Sequence, residues 1–341
     1  MSKACEIATV HNMLHRKTMP DFEKFSELLK KANGRNIAIV GHMRPDGDCV
    51  SSQFAMAEIL KNAGANVVCL NKNNVPFLYK NLAQEEFIDT ETFTDESWDI
   101  LLVDCSEIKR ASETLAQKFD KVFACIDHHA SSNSCAQINI IDVNAGATAE
   151  IIALAVKELD ITISKQCATL LLMGIATDTR QFTTTSTRLE SFEAARELVK
   201  RGAIANDVAQ ELYQRERPAK MRLLANYLNS LEMYHEGKIC FGFIPLGTFE
   251  KTGSCKEDTD GLVDFARAID GVEIAATLEE LADGSVKGSL RGKTPNYRVN
   301  EIAGFFGGGG HLAAAGFTAK NETFATIIPK LIELCKKHLE I

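Results

Sequence analysis

Short apolar runs alternate with helix-like segments through the first half of the chain. The predicted strands cover residues 36–42, 67–70, 99–103 and 122–126, and the predicted helices cover residues 20–32, 49–63, 147–159 and 165–176. Apolar runs of this length, separated by segments with helical periodicity, are typical of βα units and a mostly parallel sheet. We therefore predict an α/β N-terminal domain whose parallel sheet is flanked by helices.

The pattern changes in the second half of the chain. Residues 186–231 have a charged helical pattern with a predicted break near Pro218. Predicted strands follow at residues 238–244, 272–278 and 286–291, and the pair Asp283-Gly284 between the last two is a hairpin signal. A last amphipathic helix is predicted over residues 322–338. We predict three segments: a metal-binding catalytic domain (1–190), a helical connector (191–235) and a smaller α/β substrate-binding domain (236–341).

Length and composition agree with two globular domains. A chain of 341 residues exceeds the size at which one core usually stops growing. The N-terminus lacks the apolar segment of a secretory signal, and no run of about 18 apolar residues occurs. The ten cysteines form no C-x-x-C pair and are expected to be reduced thiols. These features predict a cytoplasmic protein without a membrane partner.

The formal net charge limits the class of nucleic acid that the chain binds. A value of −8 argues against a broad basic surface for long duplex DNA or RNA, which proteins bind by neutralising many phosphates. The net charge does not exclude small anionic substrates, because metal ions bound by the acidic residues would change the charge inside a cleft.

Acidic residues and histidines follow three predicted strands at the points where these strands end. They are His42, Asp46 and Asp48 after the first strand, Asp104 after the third, and Asp127, His128 and His129 after the fourth; Asp178 follows an apolar helix. The carboxyl ends of parallel strands lie at one edge of a sheet, where ligands bind. We therefore expect these side chains to converge.

Five carboxylates gathered at one edge would repel one another and take up protons. Divalent cations remove that conflict, and a set of carboxylates and imidazoles without thiolate favours Mn²⁺ or Mg²⁺ over structural zinc. The number of ligands suits two ions that share a carboxylate, a pair that activates water and binds phosphate oxygens. Taken singly, Asp104 and Asp178 are also compatible with helix caps. Their joint occurrence with the histidines favours the metal interpretation.

These residues resemble the motifs of the DHH phosphoesterase superfamily. The four N-terminal motifs match Gly41-His-Met-Arg-Pro-Asp-Gly-Asp48, Val103-Asp-Cys-Ser106, Asp127-His-His-Ala-Ser131 and Ala176-Thr-Asp-Thr179, and Gly307-Gly-Gly-Gly-His-Leu-Ala-Ala-Ala-Gly316 resembles the DHHA1 signature. Length and the compact second domain make the chain similar to the subgroup of oligoribonucleases (nanoRNases) that are also pAp phosphatases.

The resemblance implies a ligand set and a reaction. Two divalent ions are implied, with Mn²⁺ preferred to Mg²⁺. One would be held by His42, Asp46 and Asp104, and the other by Asp48, Asp104, His128 and Asp178. Asp104 would bridge the ions and take part in catalysis, and Asp127 and His129 would support the ligands or contact the scissile phosphate. The implied activity is hydrolysis of short RNA and of linear dinucleotides such as pGpG and pApA to mononucleotides, and of pAp to AMP.

The second domain offers candidate substrate contacts. The backbone of Gly308, Gly309 and Gly310 would approach an anion, a helix is expected to begin just after the glycines, and His311 would point at the same phosphate. Arg291 would bind a terminal phosphate, whereas Lys293 is interpreted as a solvated charge. A flexible glycine turn is the simpler alternative for an isolated run of this kind.

Arg180 stands where the superfamily commonly has glycine after the fourth motif. It would either bind substrate phosphate bidentately or form a salt bridge. A cyclic-dinucleotide phosphodiesterase and an exopolyphosphatase are the nearest alternative enzymes, and a nucleotide-binding sensor without catalysis is the alternative outside enzymes. The sequence leaves the oligomeric state open, with a homodimer as one candidate.

Overall fold

The computed structural model describes residues 19–132 and 136–340. Contacts among them divide the chain into two compact units, one ending at Arg215 and the other beginning at Glu216. Within these ranges, no helix is both long and apolar enough to cross a membrane. The three segments predicted from the sequence, with boundaries at residues 190 and 235, stay an interpretation.

The first unit is built on a six-stranded sheet with the order β3-β2-β1-β4-β5-β6, in which every neighbouring pair is parallel. The strands are β1 (Asn36–Val40), β2 (Asn66–Asn71), β3 (Ile88–Asp89), β4 (Asp99–Val103), β5 (Val122–Asp127) and β6 (Ala136–Ile141). The strand order reverses direction between β1 and β4. In open α/β sheets this switch point opens a crevice beyond the carboxyl ends of the strands.

Helices cover both faces of this sheet. They are α1 (Phe22–Ala32), α2 (Gly47–Asn62), α3 (Lys80–Ala83), α4 (Ile108–Ala111), α5 (Glu113–Lys118), α6 (Thr148–Glu158), α7 (Lys165–Asp178), α8 (Leu189–Lys200) and α9 (Ala205–Tyr213), with a 3₁₀ turn at Phe77–Tyr79. Successive β1 side chains enter different cores: Ile37 and Ile39 pack in one, and Ala38 and Val40 pack in the other. Burial on both faces explains why the parallel strands are continuous apolar runs.

The second unit contains a mixed sheet with the order β11-β12-β10-β9-β8-β7. Its strands are β7 (Glu232–Tyr234), β8 (Ile239–Ile244), β9 (Ile274–Glu280), β10 (Val286–Gly292), β11 (Gly309–His311) and β12 (Ala314–Ala319). Its helices are α10 (Pro218–Asn229), α11 (Thr248–Thr252), α12 (Leu262–Arg267), α13 (Val299–Phe305) and α14 (Phe324–Leu339), with 3₁₀ turns at Lys256–Thr259 and Pro295–Tyr297. The prediction of a parallel α/β domain followed by a smaller α/β domain is confirmed.

Candidate metal centre

The loop after β1 is held tightly against α7. Asp46 caps α2, because its Oδ1 accepts from the backbone N–H of Cys49 at 3.0 Å. Gly47 then begins the helix with no room for a side chain, since a Cβ there would lie 2.4 Å from Cγ2 of Thr177. This close approach brings the start of α2 beside Asp178, the last residue of α7.

Asp104 follows β4 in a left-handed backbone conformation with φ of 53°. Among residues other than glycine, Asp and Asn tolerate this conformation best. Its backbone N–H donates to the carbonyl of Ile126 at 3.0 Å, and its carboxylate is buried. A helix cap, the alternative left open for Asp104, is not what the structure shows, because the next helix, α4, begins four residues later at Ile108.

Asp127 ends β5 completely buried and organises the two histidines that follow it. Its Oδ1 accepts from the backbone N–H groups of His128 and His129 at 2.8 and 3.2 Å and lies 2.7 Å from Nδ1 of His129. The other oxygen accepts from the Ser132 hydroxyl. Asp127 therefore orients the motif, and the imidazole of His129 remains partly exposed.

Asp48 lies in the first turn of α2 and is fully buried. Its two carboxylate oxygens accept from the backbone N–H groups of Thr148 and Ala149 at 2.6 and 2.8 Å. These are orphan donors at the start of α6, where the helix dipole favours a negative charge. The Thr148 hydroxyl also donates to Oδ1 of Asp104 at 3.1 Å, so the start of α6 contacts two of the predicted ligands.

The predicted ligands from four separate stretches of sequence converge. Asp104 lies at the middle, with Oδ2 3.3 Å from Nε2 of His42 and Oδ1 3.5 Å from Nε2 of His128. His128 Nε2 also lies 3.3 Å from Oδ2 of Asp178 and 4.0 Å from Oδ2 of Asp48. His42 Nε2 lies 3.7 Å from Oδ2 of Asp46, which completes the group.

Backbone carbonyls fix the orientation of the two central imidazoles. Nδ1 of His42 lies 2.9 Å from the carbonyl of Met43, and Nδ1 of His128 lies 3.1 Å from that of Ala145. A carbonyl only accepts, so each Nδ1 carries a hydrogen and the lone pair of a neutral ring is on Nε2. Nε2 of His128 is buried without a hydrogen-bond partner among the described residues. A lone pair that faces carboxylates is unfavourable unless a proton or a cation lies between them.

The protonation equilibria show the same conflict. Burial and the facing carboxylates of Asp104 and Asp178 raise the pKa of Asp48 well above its ordinary value. Burial opposes the charged form of His128, but its contacts with Asp178, Asp48 and Asp104 outweigh this and raise the pKa to about 10. Burial also opposes a charged His42, whose hydrogen bond with Asp104 nevertheless raises its pKa. Protons therefore neutralise a cluster whose donors suit divalent cations.

Three groups of side chains bring their donor atoms within 4.8 Å of one another: His42, Cys49 and Asp104; Asp104, His128 and His129; and Asp48, His128 and Asp178. Burial raises the pKa of the Cys49 thiol, whose Sγ lies 3.6 Å from Oε1 of Gln53 and was not among the predicted ligands. The remaining oxygen and imidazole donors fit Mn²⁺ or Mg²⁺. Asp104 and His128 each belong to two of the groups, and of the two only Asp104 has a second oxygen through which it would be able to contact two ions.

Arg180 adopts the backbone conformation that glycine would favour. Its φ is 43°, and Gln181 and Phe182 continue in the same left-handed region with φ of 60° and 63°. The departure from the superfamily pattern therefore places an arginine where glycine would be unstrained. Arg180 is exposed, and its assignment as a phosphate contact stays a prediction.

The glycine run of the second unit differs from its prediction. The expectation that a helix begins just after the glycines is wrong, because residues 309–311 form β11 and pair with β12 in an antiparallel hairpin. A Cβ on Gly308 would lie 2.2 Å from the carbonyl of Gly316, and one on Gly310 would lie 2.6 Å from that of Ala314. Close strand packing requires these two glycines, whereas Gly309 faces open space.

The predicted basic side chains of the second unit lie on the two strands that pair with β12, one on each side of it. Arg291 of β10 is directly opposite Ala314 of β12, and His311 of β11 is opposite the same alanine. Directly opposed residues point to the same face of a sheet. Arg291 and His311 therefore flank a small residue on one face, which is a suitable arrangement for an anion.

Two family models match the chain. One, described as the DHH family, N-terminal domain, matches residues 36–175, and the other, the DHHA1 domain, matches residues 239–337. The bifunctional oligoribonuclease and PAP phosphatase NrnA of Thermus thermophilus is 27% identical over 316 residues, which are 92% of this chain and 93% of that protein. The protein of the same name from Bacillus subtilis is 26% identical over 305 residues, or 87% and 94% of the two chains.

A solved structure supports the fold. An exopolyphosphatase-related protein from Bacteroides fragilis superposes with a TM-score of 0.80, over 94% of this chain and 95% of that one, at 23% sequence identity. This likeness extends over both units.

Proposed function

Because the chain belongs to the DHH family and carries a DHHA1 domain, we propose that it is a metal-dependent phosphoesterase. Its substrates are short oligoribonucleotides and linear dinucleotides such as pGpG and pApA, which it cleaves to mononucleotides, and pAp, which it converts to AMP. Relatives named as oligoribonucleases and PAP phosphatases, matched over most of both chains, support this choice. The observation that carries the proposal is the convergence of His42, Asp104, His128 and Asp178, with the Nε2 atoms of both imidazoles directed at carboxylates.

Two divalent ions are the proposed cofactors, with Mn²⁺ preferred to Mg²⁺. His42, Asp46 and Asp104 would hold one, and Asp48, Asp104, His128 and Asp178 the other. When bound, such a pair supplies Lewis-acid activation of water and stabilises the negative charge that develops on phosphate oxygens.

The protein's own residues prepare this centre. The carbonyls of Met43 and Ala145 hold the imidazoles of His42 and His128 in one tautomer, so that both Nε2 atoms stay available as ligands. Asp127 accepts from Nδ1 of His129, which leaves Nε2 of that partly exposed ring as the proposed contact for the scissile phosphate.

The second domain is proposed to select the substrate. Arg291 and His311, which flank Ala314 on one sheet face, would bind a terminal phosphate together with the backbone around Gly308, Gly309 and Gly310. Arginine suits this role because its planar guanidinium binds phosphate through two hydrogen bonds. The net charge of −8 supports a small substrate and not a long duplex. We propose that the enzyme acts in the cytoplasm, where its thiols remain reduced.

A substrate panel in Mn²⁺ tests the proposal. The panel contains pAp, pGpG, pApA, a 5-mer RNA, a 24-mer RNA, a cyclic dinucleotide and polyphosphate, each given to the wild-type protein and to Asp104→Asn. We expect hydrolysis of pAp, the dinucleotides and the 5-mer by the wild type alone. Preferential cleavage of the cyclic dinucleotide or of polyphosphate would replace the proposed substrate class, and binding of nucleotides without any turnover would favour the sensor.

A further inference from the structure

Arg110 of α4 contacts three of the loops that build the metal centre. Its carbonyl accepts from the backbone N–H of Met43 at 3.1 Å, beside His42. Its guanidinium Nη1 lies 3.1 Å from the Ser106 hydroxyl and 3.4 Å from that of Ser131. Ser106 lies two residues after Asp104 and Ser131 lies two residues after His129, so the guanidinium is next to two of the motifs.

Within the described part of the chain, the charge of Arg110 has no counter-ion. Among the residues described, no carboxylate lies within 4.0 Å of its guanidinium, which donates only to neutral hydroxyls, and the residue is exposed. Arg188 and Arg201 of the first unit, by contrast, each lie against carboxylates. An arginine that is held in place by neutral partners retains donors for an anion from solution.

A purely structural role explains less of this arrangement. The Ser106 and Ser131 hydroxyls already contact each other at 3.3 Å, so the two loops are linked without Arg110. A link between two hydroxyls also needs no positive charge. A phosphate does need one, because the cluster of carboxylates repels an anionic substrate unless cations surround the reacting group.

We propose that Arg110 binds a non-bridging oxygen of the substrate phosphate held at the metal centre. The inference rests on the proposed phosphoesterase function and assigns to the first domain a substrate contact of its own, separate from Arg291. The guanidinium would bind phosphate through its Nε and Nη2 donors while Nη1 keeps its contacts with Ser106 and Ser131.

Three variants distinguish the effects on substrate binding of the Arg110 charge, of the planar shape of its guanidinium, and of any positive charge on the same helix. Arg110→Gln keeps a hydrogen-bonding amide and removes the charge, Arg110→Lys keeps the charge and loses the planar fork, and Lys109→Gln removes an exposed charge from the same helix. KM and kcat are measured with pApA and pAp in Mn²⁺. Calorimetry measures the affinity of AMP and of inorganic phosphate in Mn²⁺, and the affinity of Mn²⁺ alone.

We expect Arg110→Gln to weaken AMP and phosphate binding and to raise KM by roughly ten- to a hundred-fold, the loss that removal of a charged hydrogen bond gives. Arg110→Lys should lie between this variant and the wild type, Lys109→Gln should match the wild type, and Mn²⁺ affinity should be unchanged in all three. The inference is overturned if Arg110→Gln equals the wild type, if Lys109→Gln has the same effect, or if Arg110→Gln loses Mn²⁺ binding in parallel with substrate binding. A wild-type protein that hydrolyses none of the phosphate esters would instead overturn the proposed function, and this inference with it.

Discussion

The Arg188 guanidinium lies against the buried carboxylate of Glu150, with Nε 2.6 Å from Oε1, and its Nη2 lies 2.6 Å from Oδ2 of Asp142. Arg188 thereby connects both ends of the segment between β6 and α6. That segment supplies the Ala145 carbonyl to His128. The contact between Arg188 and Glu150 thus supports the metal centre from behind without supplying a ligand.

Replacing Arg188 by leucine should strongly destabilise the fold. Glu150 would be left as a buried, uncompensated carboxylate, and loss of one partner of a buried ion pair costs about 3–5 kcal/mol. Urea denaturation measures the change in the free energy of unfolding. Lys157→Met is the matched control, because Lys157 and Glu193 pair at 2.7 Å with side chains 35% and 37% exposed. That change should cost less than about 1 kcal/mol, and equal losses in the two variants would contradict the buried role of Arg188.

Asp104→Asn should abolish most of the turnover while the fold is retained. Asparagine tolerates the left-handed backbone at this position and can keep the contact with Thr148, but it removes the charge that two cations would share. We expect kcat in Mn²⁺ to fall by about 10²-fold or more. Circular dichroism checks the fold and calorimetry checks the Mn²⁺ stoichiometry. Turnover near the wild-type level on every substrate of the panel would eliminate Asp104 as the shared ligand.

Mn²⁺ binding should release protons. The pKa of His128 is raised to about 10, so its imidazole is protonated at pH 7 in the metal-free protein. A ligand must be neutral at Nε2, and therefore the proton leaves as the ion binds. Apparent affinity should rise with pH below about 10, by up to about tenfold per unit for each proton released. Titrations in two buffers of different ionisation enthalpy measure the release, which should decrease in His128→Gln. Identical heats in both buffers would exclude this coupling.

Arg291→Ala should raise KM for substrates that carry a terminal phosphate, such as pAp and pApA. Loss of a charged hydrogen bond predicts an increase of roughly tenfold or more. A plain diester reporter without a terminal phosphate should be affected little, and kcat should change less than KM. Lys293→Ala is the control, because Lys293 is an exposed basic residue that follows Arg291 by two positions in the sequence. An equal effect on reporter and phosphorylated substrates would remove the terminal-phosphate assignment.

Most of the fold and of the candidate metal centre could be predicted from the strands in the sequence and from the residues at their ends. Parallel strands with apolar side chains on both faces are recognisable as continuous runs, and their carboxyl ends must share an edge, so the convergence of His42, Asp104 and His128 follows from topology. The glycine run could not be interpreted in the same way. Consecutive glycines have no side chains whose periodicity would indicate a strand. In β12, the strand that pairs with them, the alternation of buried Ala315 and Phe317 with exposed Thr318 is too short to predict a strand.

The supporting contacts were beyond prediction from the sequence. The donors to Asp48 are backbone groups of Thr148 and Ala149, a hundred positions away, and their residue types say nothing about a hydrogen bond. The contact of His128 with the carbonyl of Ala145 is likewise invisible in the sequence. The sequence also does not show that the Ser106 hydroxyl lies beside the Arg110 guanidinium. Contacts made by the backbone depend on the exact path of each loop, which only the folded chain defines.

The predicted ligands extend from His42, just after β1, to Asp178 at the end of α7, and β1 pairs with β4 although β2 and β3 lie between them in the sequence. Loop closure over such separations is slow compared with local helix formation. A chain in which these strands have not yet paired would not bring all of these donors together, so we expect an ion that needs the complete set to bind only the native first unit. Uptake of the ion would then mark the end of folding, and a rise of the melting temperature with ion concentration would report how much of the population has reached it.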